Sequence, residues 1–167
     1  MTKTLFKAGA LAALAMALLA PAAPAMAEPL TKAQAAKIVA PLYEALNEPT
    51  KKDVPALLAQ ATNPDYRSCS TLTDCLNRDD LAKAFTYFGT VIPDMHWVVK
   101  DIWVSGDQIT VLGEATGTPA QNFFGVEPTG RSFKTISLDT FTVKNGKLST
   151  AYHVENWAAA IAQVKGQ

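Results

Sequence analysis

Neither sign of charge is in excess in this chain of 167 residues, where 15 lysines and arginines face 15 aspartates and glutamates. A balanced chain lacks the electrostatic footprint of a DNA- or RNA-binding domain, so no nucleic-acid partner is expected. Charged residues make up 18% of the total against 49% apolar, which excludes a disordered polyelectrolyte and fits one compact unit. The sequence has no internal repeat, no low-complexity linker and no sign of a second domain. Long hydrophobic runs are missing as well: Ala8 to Ala20 is 13 residues, short of the roughly 18 that a membrane span needs. There are only two cysteines. No Cys or His stands near Cys69 and Cys75 to complete a four-ligand metal shell, and five intervening residues do not make a C-x-x-C redox pair.

What is present begins with a leader. Lys3 and Lys7 precede the apolar run, and a Pro- and Ala-rich stretch ends in Ala25-Met26-Ala27, an A-x-A cleavage signature. Residues 1–27 therefore read as a secretory signal peptide and 28–167 as the mature domain, with a periplasmic or secreted destination. Removing 27 residues from 167 leaves 140; it takes two lysines and no acid, so 13 basic side chains face 15 acidic ones, about −2. In an oxidising compartment, Cys69 and Cys75 are expected to form a disulfide around a short loop.

Helices come first in the mature chain. Ile38, Leu42, Ala45 and Leu46 recur at helical spacing after Thr31, a candidate N-cap, and Pro41 inside this segment is expected to kink or split it. A second helix fits Val54 to Ala61, with Asn63-Pro64 as its stop. A third starts near Asn77 or Asp79 and carries Leu81, Ala84, Phe85 and Phe88 on one face. Beyond Pro93 the texture turns to strands: His96 to Ser105, then Gln108 to Thr118 after the Gly106-Asp107 turn, then Ser132 to Val143 and Lys147 to Glu155 around Asn145-Gly146. Trp157 to Val164 closes with a helical turn or two. Helices followed by antiparallel strands make an α+β domain with the helices packed on one face of the sheet.

Several of these segments resemble one family. Ile92-Pro93-Asp94-Met95-His96-Trp97, Gly106-Asp107-Gln108-Ile109, Phe124-Gly125-Val126-Glu127-Pro128-Thr129-Gly130-Arg131, and Asp139 through Asn145-Gly146-Lys147-Leu148 are similar, in order and spacing, to the SnoaL-like polyketide cyclase (ester cyclase) branch of the nuclear transport factor 2-like superfamily. Tyr43-Glu44-Ala45-Leu46-Asn47 and Asn63-Pro64-Asp65-Tyr66 extend the likeness upstream. The resemblance implies a cone-shaped, curved antiparallel sheet over N-terminal helices, of the cystatin-like kind, with a hydrophobic pocket. It also implies acid/base aldol chemistry without a cofactor, a small apolar or aromatic ligand, and a homodimer through the open sheet face. The family's pocket residue before the hairpin and its catalytic carboxylate after it fall on Asp139 and His153. An imidazole thus stands where the family has an acid, and an acid stands in the earlier place.

Asp139 is the only charged residue between Ile136 and Val143, so it is either buried with partners or lining a cavity. His153 titrates in the range suited to proton transfer, and an aspartate beside it would orient the imidazole. A two-residue turn at Asn145-Gly146 sets Asp139 opposite Tyr152 and sends His153 to the other face. A three-residue loop, or a bulge higher in the second strand, puts Asp139 and His153 on one face. Glu155, at a strand end, reads as solvated, and His96 as facing outward with Lys100. Phe85, Phe88, Trp97, Phe124, Phe141 and Tyr152 are the expected binding residues, with Trp103 and Phe123 adding aromatic wall and Phe123-Phe124 suited to a lid. Two functional readings follow: an acid/base enzyme using Asp139 and His153, or a ligand-binding or protein-interaction module on the same fold.

Overall fold

The computed structural model describes residues 29–167, so the leader read at 1–27 lies outside the described residues. Thr31 caps the first helix, α1 (Lys32–Leu46): its hydroxyl accepts from the Gln34 amide and the Gln34 side chain accepts from the Thr31 amide, a reciprocal capping box. Of the two outcomes expected at Pro41, a split does not occur: the helix runs through it, because Pro41 costs one backbone donor while Val39, Leu42, Tyr43 and Leu46 are held in the core on either side of it. A short 3-10 turn (Pro49–Lys51) leads into α2 (Val54–Ala61), capped by Asp53, and Asn77 caps α3 (Arg78–Val91).

The sheet has six strands: β1 (Thr62–Cys69), β2 (Cys75–Asn77), β3 (His96–Ser105), β4 (Gln108–Gly117), β5 (Phe133–Lys144) and β6 (Lys147–Glu155), in the order β2-β1-β6-β5-β4-β3. It is curved, and the helices cover its concave face. Two expectations need correction. Asn63-Pro64 does stop α2, but the chain passes directly into β1, and β1 pairs parallel with β6, so the sheet is mixed and not wholly antiparallel. Pro64 has no amide to give to a ladder, and it falls in the interval between Thr62 and Arg67 where the β1–β6 register shifts.

Two further bulges shape the concave wall. Lys100 is extra in β3, between Val99 (opposite Gly113) and Asp101 (opposite Leu112). Trp97 and Ile102 therefore both face inward, while Trp103 turns outward and is half exposed, so it does not contribute to the inner wall as expected. The second bulge is at Ser149 in β6. A final helix, α4 (Trp157–Lys165), capped by Asn156, lies across one end of the sheet with Ala160 and Val164 buried. Among the described residues, no helix is long and apolar enough to cross a membrane.

Candidate functional site

Between α1, α3 and the concave wall of β3, β5 and β6 lies a cavity of about 300 Å³, at the small end of the range for small-molecule sites. Phe85, Phe88, Trp97, Phe124 and Phe141, five of the six residues proposed to bind a ligand, line it. Tyr152 does not: it stands opposite Thr140 on the outer face and is 47% exposed, because side chains alternate along β6 and its neighbours Ala151 and His153 take the inner face.

The hairpin decides which polar groups enter this cavity. Lys144 pairs with Lys147 across Asn145-Gly146, and both turn residues have positive φ (55° and 74°), the two-residue turn that Asn-Gly favours. Left alone, that turn would set Asp139 opposite Tyr152. Ser149 intervenes: Val143 pairs with Leu148 but Thr142 with Thr150, and the extra residue shifts the register by one. Asp139 and His153 become direct partners on the inner face. This is the bulged arrangement among the alternatives the hairpin allows.

Asp139 is 8% exposed. Its Oδ2 accepts hydrogen bonds from the Tyr43 hydroxyl (2.7 Å) and the Ser137 hydroxyl (3.0 Å), and Ser137 Oγ accepts from Trp97 Nε1 (3.3 Å). Burial pushes the Asp139 carboxyl up to about 6; the Tyr43 and Ser137 hydrogen bonds oppose the shift without cancelling it. Tyr43 in turn is held far above the usual phenol range by burial and by the Asp139 carboxylate.

His153 is oriented by a different acid. Its Nδ1 lies 2.9 Å from Glu155 Oε1, and no hydrogen bond joins it to Asp139, so the expected Asp-His pair is in fact a Glu-His pair beside a separately held Asp. A carboxylate only accepts, so Nδ1 carries the hydrogen and Nε2 is left as the working nitrogen. The Glu155 hydrogen bond raises the His153 pKa above its ordinary value, against the opposing effect of burial. Glu155, expected in solvent, lines the cavity because it sits two residues from His153 on the same strand face; that spacing was the signal available in the sequence. Tyr43 and Trp157 are among the other site residues that sequence reasoning missed. Tyr43 lies on the apolar stripe of α1, four residues after Val39, and nothing in that spacing announces a hydroxyl aimed at a strand 96 positions away.

Asp139, His153 and Glu155 each offer one ligand atom within 4.8 Å of the others, so the three could hold a cation, although the His153–Glu155 hydrogen bond already engages two of those side chains. Aromatic residues share the cavity with this polar group. Trp157 packs against Phe88 at 5.6 Å and Phe124 at 5.9 Å between ring centroids. Of the expected lid pair, Phe123 is core, and Phe124 alone sits at the rim, 55% exposed and at φ 48°. Ser70 and Asp74, exposed residues of the loop between Cys69 and Cys75, also line the cavity. These two cysteines are cross-strand partners with their sulfurs 2.07 Å apart. His96 is exposed on the outer face, as expected.

The family model for SnoaL-like polyketide cyclases matches residues 39–164. The chain belongs to the SnoaL-like polyketide cyclase family. Solved structures carry the same fold. TsrD from Streptomyces laurentii superposes with a TM-score of 0.71 at 19% identity, covering 83% of this chain and 99% of its own. A protein described as a SnoaL-like polyketide cyclase from Jannaschia sp. CCS1 gives 0.70 at 18%, covering 81% and 94%. IdmH from Streptomyces antibioticus, described as a polyketide cyclase, gives 0.67 at 27%, covering 78% and 97%. No curated protein matches the chain. This SnoaL-like chain thus has the nuclear transport factor 2-like α+β fold that its motifs suggested, as one domain.

Proposed function

We propose that the protein is a cofactor-independent acid/base enzyme of the cyclase, isomerase or dehydratase type, acting on a small, mostly apolar molecule. The observation that carries this is the pair of proton-transfer groups on one wall of a largely apolar cavity, each oriented by its own partner: Asp139 by Tyr43 and Ser137, His153 by Glu155. Such division of labour suits a reaction in which a proton leaves one atom and arrives at another. His153 exchanges protons through Nε2. Asp139, held near 6, exchanges them through Oδ1, since Oδ2 is committed to two donors. The apolar walls exclude water and strengthen both interactions. Turnover of cyclisable and enolisable carbonyl compounds by the wild type, beside Asp139→Asn and His153→Ala, tests the reading. Loss of turnover in both variants supports it, equal turnover in all three rejects the assignment to Asp139 and His153, and turnover by none favours a binding module on this fold.

The same reading places the protein outside the cytoplasm, after cleavage at Ala27, with Cys69 and Cys75 joined. The leader pattern and the abutting sulfurs support it. Two free thiols on the denatured, unreduced mature protein would refute the bond. A homodimer through the outer sheet face completes it: Trp103, Ile136, Leu138, Tyr152 and Val154 are all exposed there, an apolar surface that monomers seldom leave bare. Sedimentation of the wild type as a dimer and of Leu138→Lys as a monomer is the expected result.

A further inference from the structure

The cavity's charge is one-sided. Three carboxylates line it, Asp74, Asp139 and Glu155, with no lysine or arginine; His153 is the one basic group. Glu155 engages that imidazole at 2.9 Å. Asp139 has only neutral hydroxyls on Oδ2, and its Oδ1 accepts no hydrogen bond from the protein while remaining unsealed on the cavity wall. A buried carboxylate without its own cation is unfavourable, and a cation supplied by the ligand would relieve it. The aromatic lining is of matching character: Phe88, Phe124 and Trp157, with ring centroids 5.6 to 6.3 Å apart, offer π-systems that attract cations and fit an apolar body.

We infer that this cavity recognises a protonated amine carried on an apolar, ring-sized body, with Asp139 Oδ1 as the counterion. The inference rests on the reading of the cavity as a small-molecule pocket and narrows its ligand class: carboxylates and phosphates are turned away by the same charges that draw the amine. It also fits the proposed chemistry, because an ammonium beside Asp139 holds it in the ionised form that a base requires.

Three probes of similar shape test it by calorimetry on the mature protein near neutral pH: phenylbutylamine, phenylbutanol and phenylbutyrate. The amine is expected to bind about tenfold more tightly than the alcohol, and the carboxylate more weakly than either. In Asp139→Asn the gap between amine and alcohol should close; should that variant not fold, Glu155→Gln is expected to narrow the same gap several-fold. An alcohol that binds as tightly as the amine overturns the inference and leaves the pocket reading standing. Binding of none of the three overturns both. An amine preference that survives both substitutions also sinks the assignment.

Discussion

Gly113 lies directly opposite Ser137, and a methyl group on it would fall 2.5 Å from Ser137 Oγ and 2.6 Å from Trp97 Nε1. The hydrogen bond from the Trp97 indole to Ser137, and through Ser137 to Asp139, runs through space that only glycine leaves free. Gly113→Ala is therefore expected to destabilise the fold by about 1–3 kcal/mol through overpacking. It should also loosen Asp139, which urea denaturation together with the titration of the Asp139 carboxyl by NMR can read. An unchanged titration would detach Gly113 from the site.

Asp139 makes stability depend on pH in a definite direction. Its carboxyl is raised to about 6 in the folded protein, against about 3.9 in an unfolded chain, so the folded state holds its proton longer. The stability this contributes is complete below about pH 4 and lost as pH rises through about 6, at most about 3 kcal/mol. Asp139→Asn keeps the shape and removes the loss. Its stability relative to the wild type should climb between about pH 4 and 7 in denaturation curves, whereas a constant difference would mean that the carboxylate is not destabilised by burial.

His153 isolates a second window. Its pKa is raised by the Glu155 hydrogen bond, so that stabilisation is complete below the ordinary value of about 6.5 and fades as pH rises through the folded value. In Glu155→Leu, which has no acceptor, the imidazole should titrate lower than in the wild type, and its neutral form should no longer favour a hydrogen on Nδ1. Nitrogen-correlated NMR of the ring reports both. A histidine that keeps its titration and tautomer in this variant would show that Glu155 does not orient it.

The helices, the β3–β6 strands and the Asn145-Gly146 turn were legible because each rests on local rules: periodicity, caps and a turn that demands two positive φ angles. Asp139 stood out as a lone charge on an apolar strand. The face that His153 would take was not readable, because it depends on one extra residue, Ser149, and a bulge is placed by packing rather than by any local preference of serine. β1 was hidden for a related reason: its residues, TNPDYRSC, lack alternation, and its parallel pairing with β6 joins segments far apart in the chain. Likewise Tyr43 and Trp157 reached the site through tertiary packing of elements whose own patterns say only that they are buried or half-buried.

Phe124 sits in the left-handed region at φ 48°, followed by Gly125 at φ 83°, in a tight turn closed by the Phe123–Val126 pair. Such a conformation costs an aromatic residue about 1–2 kcal/mol, and the ring it presents is half in solvent. Its contacts with Phe88 and Trp157 at the cavity rim offset part of that cost, each aromatic pair being worth about 0.5–1.5 kcal/mol. Phe124→Gly removes the strain and the contacts together, so stability should move by no more than about 1 kcal/mol in either direction. Probe affinity has no such compensation, since the rim loses a wall that glycine cannot replace. Weaker binding at near-constant melting temperature is the expected outcome. A variant that melts much earlier yet binds as well as the wild type would make Phe124 a structural residue and not part of the pocket.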